Sequence, residues 1–135
     1  MAPRTVRVRS AADLPACVRV LADVHRADGY PLNWPAHPSA WLSLAGLRNA
    51  WVAEDGGRLD GHAVLADVDD DGGLLAGRLV ALSRLFVTPD ARGSVVGTAL
   101  VRTAVAVAGT QGLRVVLDVV EGTPPSGSTS GSAGD

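Results

Sequence analysis

The residues with the clearest potential for chemistry lie in the stretch RLFVTPDARGSVVGTALV, residues 84–101. It reads as a strand end, a turn with a proline, a loop with two glycines and the start of a helix. A helix N-terminus offers backbone N–H groups and a partial positive charge, so a loop that enters it can bind phosphate oxygens. Its glycines would permit close backbone approach, and its arginine would add a fixed cation. An ordinary strand-to-helix corner is the alternative, and loop chemistry alone leaves both open.

The remaining composition excludes several other kinds of site. All 12 cationic residues are arginine, so neither a phosphate-binding loop with lysine nor a lysine Schiff base is possible. The two glycines also fail the three-glycine dinucleotide fingerprint. The single cysteine, Cys17, permits no internal disulfide or thiolate cluster, and His25, His37 and His62 are too dispersed for zinc. The segment DVDDDG imitates a calcium loop but has Arg78 at the twelfth position, so we expect a solvated turn and no metal.

The length, composition and charge of the chain predict one soluble domain. With 135 residues, 47% of them hydrophobic, the chain can build a single core. A net charge of −2 gives no basic field for nucleic acid, and no apolar run approaches the roughly 18 residues of a membrane helix. The N-terminus lacks the apolar stretch of a signal peptide, so we expect a cytoplasmic protein. Composition turns to Gly, Ser and Pro after Glu121, which predicts a domain over residues 1–121 and a disordered tail over 122–135.

Periodicity predicts the elements that must position the loop. Ser10 is the expected N-cap of the first helix, with Asp13 completing a capping box, and Ser39 is the expected cap of the second. The third helix should place Val105 on its apolar face with Ala104 and Ala108. The apolar run LRVVLDVV favours a strand covered on both faces. The predicted order is β-α-α-β-β-β-α-β, with strands over residues 5–9, 49–54, 59–67, 79–87 and 113–120, and helices ending near Ala27, in 39–47 and over 97–109.

The stretch LFVTPDARGSVVGTALV resembles the acetyl-CoA segment of the GNAT superfamily of N-acetyltransferases. In that family a strand and a proline turn lead into Arg/Gln-x-x-Gly-x-Gly/Ala at a helix start. The predicted order matches the family from its first to its fifth strand, over about residues 1–121. The resemblance implies an α/β fold with a mixed, mostly antiparallel central sheet flanked by helices. It also implies a C-terminally truncated version, because the family's last helix and strands have no counterpart after Glu121.

The resemblance further implies a cofactor site for acetyl-CoA. The backbone of Leu85, Phe86 and Val87 would pair with the pantetheine arm, where the fourth and fifth strands splay apart. Val95 stands where the family has its first motif glycine, and a β-branched residue resists positive φ. Affinity would suffer if the loop needs positive φ there, but not if it needs only an N–H. The pyrophosphate would be held by the amides of Arg92, Gly93, Ser94, Val95, Val96, Gly97 and Thr98.

The acceptor side is implied by the segment YPLNWPAHPSAW, which the family places beside the cofactor. Tyr30, Asn33 and Trp34 would line the acceptor pocket. The other interpretation, that Trp34 and Trp41 cap the core, is favoured for the tryptophans. The catalytic residues stay unassigned.

Two carboxylates are weak candidates for the general base, Glu54 and Asp118. For Glu54 a solvated turn carboxylate is the favoured interpretation. For Asp118 a pair with an arginine is equally acceptable.

The function that follows is acetyl transfer from acetyl-CoA to a primary amine of a small molecule or peptide. The amine would attack the thioester directly, with backbone amides near Phe86 polarising its carbonyl. The alternative is an incomplete, weakly active or inactive relative that acts as a CoA-binding or protein-interaction module. An uncovered edge of LRVVLDVV would favour pairing with a second copy as a homodimer.

Overall fold

The computed structural model describes residues 4–68, 79–91 and 95–117. The described strands form one five-stranded sheet in chain order, and the first four are antiparallel neighbours while the last pair is parallel. This confirms the predicted element order and the mixed, mostly antiparallel sheet. The strands are β1 Arg4–Val8, β2 Leu47–Asp55, β3 Arg58–Asp67, β4 Leu79–Val87 and β5 Arg114–Leu117.

Within the described residues three helices flank the sheet, α1 Leu14–Asp28, α2 Pro38–Leu42 and α3 Val96–Thr110. Short 3₁₀ turns at Ala11–Asp13 and Pro89–Ala91 precede α1 and α3. A parallel strand pair needs a crossover connection, and α3 supplies it between β4 and β5. None of the described helices is long and apolar enough to cross a membrane.

The start of the first helical segment follows the sequence closely. The Asp13 carboxylate accepts a hydrogen bond from the Ser10 N–H at 2.7 Å, which confirms the predicted capping interaction. Arg7 donates to both oxygens of the same carboxylate at 2.8 Å, and this holds the pKa of Asp13 well below its usual range. Gly29 ends α1 with φ 75°, a left-handed conformation that glycine adopts without strain.

Three sequence expectations are wrong. Helix α2 begins at Pro38, so Ser39 lies inside it and does not cap it; proline at a first helical position is already set to helical φ. Val105 is 49% exposed, because the buried stripe of α3 follows an i, i+4 row of Val96, Leu100, Ala104 and Ala108. Val116 is 41% exposed, so β5 is not covered on both faces over its described residues. Strand β5 is the last in the order, and α3 packs on the side of Val115.

The two faces of the sheet carry separate cores. Helix α3 covers one face, where Leu65, Leu82 and Leu100 belong to one buried cluster. A Cβ added at Gly61 would lie 2.9 Å from Leu100 Cδ1, so α3 approaches β3 closely at this glycine. Helices α1 and α2 cover the other face with a second cluster of Cys17, Val20, Leu21, Val24, Leu42, Val52 and Phe86.

Candidate cofactor and acceptor site

Strand β4 carries an irregularity near its C-terminal end. The register with β3 shifts between His62 and Val64, so two residues of β4, Arg84 and Leu85, oppose the single residue between them. Arg84 has φ 51° and is the one non-glycine residue with positive φ in the described part of the chain. Such a bulge bends the strand and turns a peptide group out of the ladder, and strained backbone of this kind clusters at functional sites.

The Arg84 side chain ties this bulge to helix α2. Its guanidinium carbon lies 3.9 Å from the centroid of the Trp41 ring, in cation–π geometry. Its Nε also donates to the Trp41 carbonyl at 3.0 Å. Trp41 in turn meets Tyr30 edge to face, with 6.0 Å between ring centroids. Bulge, α2 and the segment after α1 are therefore in direct contact.

The Arg84 carbonyl is held from the neighbouring strand by His62. The imidazole Nδ1 lies 2.9 Å from the Arg84 carbonyl oxygen, and Nε2 lies 2.9 Å from Nη1 of Arg9. The ring stacks on Phe86 at 5.0 Å and is fully buried. Burial lowers the His62 pKa to about 4, so the imidazole is neutral at pH 7.

Beyond the described β5 pairing, β4 offers main chain rather than side chains. Strand β5 pairs with residues 79–82 of β4, and the bulge follows this segment. The side chain of Phe86 is buried in the α1–α2 cluster, and those of Leu85 and Val87 pack against the α3 cluster. Phe86 can therefore offer a ligand only its backbone, and the pantetheine interpretation uses the backbone of all three residues.

The connection from β4 to α3 is described in part. Arg92, Gly93 and Ser94 lie outside the described residues. Val95 has φ −89° and ψ 12°, and its carbonyl accepts the first helical hydrogen bond from the Ala99 N–H at 2.8 Å. This φ is negative, so the expectation that depended on positive φ at Val95 does not apply. Its side chain is 66% exposed.

The first turn of α3 combines a buried anchor with accessible backbone. Val96 is fully buried, whereas Gly97 is half-buried and Thr98 is exposed. Among the described residues, a Cβ added at Gly97 would meet only Val87 Cγ2, at an ordinary contact distance of 3.7 Å. Packing against the described part of the chain therefore does not require glycine at this position. The N–H groups of a first turn have no partner four residues earlier in the helix, so this terminus suits an anion.

The predicted acceptor residues divide into two groups. Tyr30 reaches the bulge through Trp41, as described above. Trp34 instead lies against His25 of α1, with ring centroids 5.4 Å apart, and is 39% exposed, while Asn33 is exposed. Trp41 packs against the α1–α2 cluster, which agrees with the core-capping interpretation for this tryptophan.

Comparison with known proteins decides the family. The family model described as Acetyltransferase (GNAT) family matches residues 19–127, most of the chain. The chain belongs to the GNAT family. No match was found among curated protein sequences.

Solved structures agree on the GNAT fold. A Brucella melitensis GNAT acetyltransferase in complex with acetyl-CoA is 21% identical with a TM-score of 0.71, covering 91% of this chain and 80% of its own. A Clostridium acetobutylicum predicted acetyltransferase with acetyl-CoA is 18% identical with a TM-score of 0.68, covering 88% and 82%. The ribosomal-protein-alanine N-acetyltransferase of Escherichia coli is 18% identical with a TM-score of 0.66, covering 87% and 67%. At these identities the likeness shows the fold alone.

The network of Arg9, His62, Arg84 and Trp41 is the part of this GNAT site that the sequence did not reveal. Two signals were present. Strand β4 reads LVALSRLFV, with Ser83 and the charged Arg84 inside an otherwise apolar inner strand, and His62 interrupts the apolar run of β3. Neither signal predicts which side chains are in contact. The four residues lie just after β1, on β3, on β4 and on α2, and their contacts depend on how these elements pack.

The remaining candidates belong elsewhere in the GNAT chain. Glu54 accepts a hydrogen bond from Arg7 Nε at 2.6 Å, so it is an ion-paired carboxylate rather than the solvated one expected. Together they line a polar cavity of about 540 Å³ under α1, whose lining includes Thr88 and Asp90 but no described residue of β4. Burial raises the pKa of the Cys17 thiol to about 11, which leaves it protonated and inert. Asp118 lies outside the described residues.

Proposed function

We propose that this GNAT protein transfers an acetyl group from acetyl-CoA to a primary amine of a small molecule or peptide. The observation that carries the proposal is the β4 bulge at Arg84 and Leu85, placed between the described β4–β5 pairing and the first turn of α3. Acetyl-CoA supplies the acetyl group as a thioester, and the amine takes it up by direct attack on the carbonyl carbon with release of the CoA thiol. Support comes from two structural relatives that carry acetyl-CoA.

Each described element contributes a separate task. The backbone of Leu85, Phe86 and Val87 would pair with the amide-bearing pantetheine arm, since their side chains are committed to the two cores. Backbone N–H groups at the bulge would donate to the thioester carbonyl as charge develops on its oxygen, which is the strongest catalytic term such a site can offer. Pyrophosphate would lie against the amides of Val95, Val96, Gly97 and Thr98, with the sequence assigning Arg92, Gly93 and Ser94 to the same cradle.

The acceptor would approach from the α1–α2 segment. Tyr30 borders the bulge through Trp41, and Asn33 and Trp34 would extend the pocket outward from it. The Escherichia coli relative acts, by its name, on an alanine of a ribosomal protein, which supports an amine acceptor. An aromatic wall next to a cation favours acceptors with an apolar body and a neutral attacking amine.

The test is a titration of acetyl-CoA and CoA by calorimetry, followed by a thiol-release assay over a panel of amines. The most informative variant is Gly97→Ala, because among the described residues its Cβ would meet only Val87, at an ordinary contact distance of 3.7 Å. We expect roughly tenfold weaker binding of both ligands, the cost of about one strong hydrogen bond to phosphate. Arg92→Ala should weaken binding to a similar degree.

Gly109→Ala is the matched control. It lies in the same helix, where an added Cβ would meet nothing within 4 Å, and it brings the same gain in helix propensity. Its affinities should equal those of the wild type. Absence of binding at millimolar acetyl-CoA would refute the proposal, and tight binding without thiol release from any amine would favour the CoA-binding module.

A further inference from the structure

The hydrogen bonds around His62 define its protonation state. A guanidinium only donates, so Nε2 of His62 must accept from Arg9. A carbonyl only accepts, so Nδ1 of His62 must carry the proton that meets the Arg84 oxygen. Both requirements are met by one neutral tautomer, with the proton on Nδ1. The lone pair of Nε2 is taken, so this imidazole has no free acceptor for a substrate proton and is not a general base.

The ring is also held in place from both ends. It is fully buried and stacked on Phe86 with 15° between the ring planes. Arg9 is fixed in turn, since its guanidinium donates to the Leu42 carbonyl at 2.9 Å and to Ser43 Oγ at 2.8 Å. A continuous line of hydrogen bonds therefore runs from the end of α2, through Arg9 and His62, to the bulge in β4.

The bulge carbonyl determines the direction of one N–H group. In a planar trans peptide the C=O and the following N–H point in opposite directions. Because the Arg84 oxygen is turned toward His62, the N–H of Leu85 points away from the imidazole. Arg84 sits at φ 51°, which a non-glycine residue keeps only when its surroundings hold it there.

We propose that His62 is a positioning residue for acetyl transfer, which holds the Arg84–Leu85 peptide so that the Leu85 N–H is aimed at the acetyl carbonyl oxygen. This inference rests on the proposed function. It assigns to a buried residue of β3 a role in the reaction that no contact with substrate would reveal. The role can be tested selectively. If the Leu85 N–H is no longer aimed correctly, a ligand with a carbonyl should bind more weakly, and the affinity of a ligand without a carbonyl should not change.

The experiment compares acetyl-CoA with its thioether analogue S-ethyl-CoA, which lacks the carbonyl oxygen. Affinities are measured by calorimetry for the wild type, His62→Leu and His62→Asn. The wild type should bind acetyl-CoA more tightly than S-ethyl-CoA. In His62→Leu that preference should fall by about tenfold, the worth of one buried hydrogen bond, while S-ethyl-CoA affinity stays constant. His62→Asn places an amide N–H near the Nδ1 position and should keep most of the preference.

Val64→Ala is the matched structural control. Val64 is also fully buried on β3, on the far side of the register shift, and makes none of the hydrogen bonds described around Arg84. It should lower stability but leave the acetyl-CoA preference intact. A preference that is unchanged in His62→Leu, or lost equally in Val64→Ala, overturns the inference while leaving the proposed function standing. A wild type that binds neither ligand overturns both.

A measurement on the unmodified protein keeps the inference testable even if the variants unfold. Nitrogen-15 NMR of the His62 imidazole at pH 7 should show a neutral ring protonated on Nδ1. A ring protonated on Nε2, or a charged imidazolium, contradicts the two hydrogen bonds on which the inference rests. Protonation on Nε2 alone would show that His62 does not donate to the Arg84 carbonyl, and an imidazolium would show that it does not accept from Arg9.

Discussion

The two faces of the sheet are packed with different kinds of side chain. The face under α3 is apolar, with Leu65, Leu82, Leu100, Trp51 and small alanines filling the space and Gly61 admitting the helix. The face under α1 and α2 adds a buried histidine and two half-buried arginines, Arg9 and Arg84, which are linked through hydrogen bonds of 2.9 to 3.0 Å. Under the proposed function, one face provides stability and the other provides the orientation of groups at the site.

The reason lies in the cost of buried polar groups. Burying an aliphatic side chain stabilises the fold because apolar surface is removed from water. The site around it needs only the right volume and shape. A buried imidazole costs free energy unless both ring nitrogens have partners, so it fixes the positions of those partners. His62 satisfies both, with Arg9 and Arg84. Truncation of a core side chain under α3 should therefore change stability alone, whereas a variant that breaks the His62 hydrogen bonds should change binding as well.

The largest effect is expected from Leu100→Ala on the α3 face. Leu100 is fully buried, so truncation should lower the free energy of unfolding by about 3 kcal/mol in urea titrations. The relative affinities of acetyl-CoA and S-ethyl-CoA should not change. Val105→Ala, on the exposed side of the same helix, should cost less than about 0.5 kcal/mol. A loss of ligand preference in Leu100→Ala would contradict the division between the faces.

The second effect is a loss of stability in acid that originates at His62. Its pKa is about 4 in the folded protein against 6.5 in the unfolded chain, because of burial and the cations of Arg9 and Arg84. The unfolded state therefore binds the proton first, and stability falls as the pH drops from 6.5 to 4, by about 3 kcal/mol. Urea titrations at several pH values should show this slope in the wild type. The slope should be missing in His62→Leu, and an unchanged slope there would assign it elsewhere.

A further acid loss should originate at the end of β1. The pKa of Asp13 is depressed chiefly by its hydrogen bonds with Arg7, so its contribution is present above its ordinary value of 3.8 and fades below it. The loss of stability that originates at Asp13 therefore begins near pH 4, where the loss that originates at His62 is nearly complete. Asp13→Asn should remove the part below pH 3.8 and keep the slope between 6.5 and 4.

Arg84→Met should produce a smaller change, confined to the α1–α2 face. It removes the cation from Trp41 and the bond to the Trp41 carbonyl, for which we expect a loss of about 1 kcal/mol. Tryptophan fluorescence should shift at the same time, because the guanidinium no longer covers the ring. Arg102→Met, an exposed position on α3, provides the comparison and should alter neither quantity. Equal effects of the two variants would argue against the Trp41 contact.

The smallest effect is expected at the surface of α1. Asp23 and Arg26 form an exposed i, i+3 ion pair. Exposed pairs are screened by water and salt, so Asp23→Asn should change the free energy of unfolding by less than about 0.5 kcal/mol. Measurements at low and high salt should agree within that range. A larger effect would show that the cavity beside Asp23 contributes to stability.

The sequence by itself determined the order of elements and the family. Alternation and apolar runs predicted β4 to the residue, and the Ser10–Asp13 pair predicted the start of the first helical segment, because these signals are local. The resemblance of the loop before α3 to the GNAT acetyl-CoA segment could be seen in the sequence for the same reason, because it lies in adjacent residues. The cap of α2 was predicted wrongly because Pro38, one residue before Ser39, already begins the helix. The exposure of Val105 was predicted wrongly because packing against the sheet sets which side of α3 is buried.

Only the tertiary structure decided how the site is held. The register shift opposite Ala63, the positive φ of Arg84 and the bonds from His62 join residues that are 22 to 53 positions apart in the chain. No periodicity encodes such a meeting, because it depends on how strands align and which helix covers them. The structure likewise showed that Val95 needs no positive φ. Sequence thus predicted which backbone could hold acetyl-CoA, and tertiary packing showed which buried side chains hold that backbone.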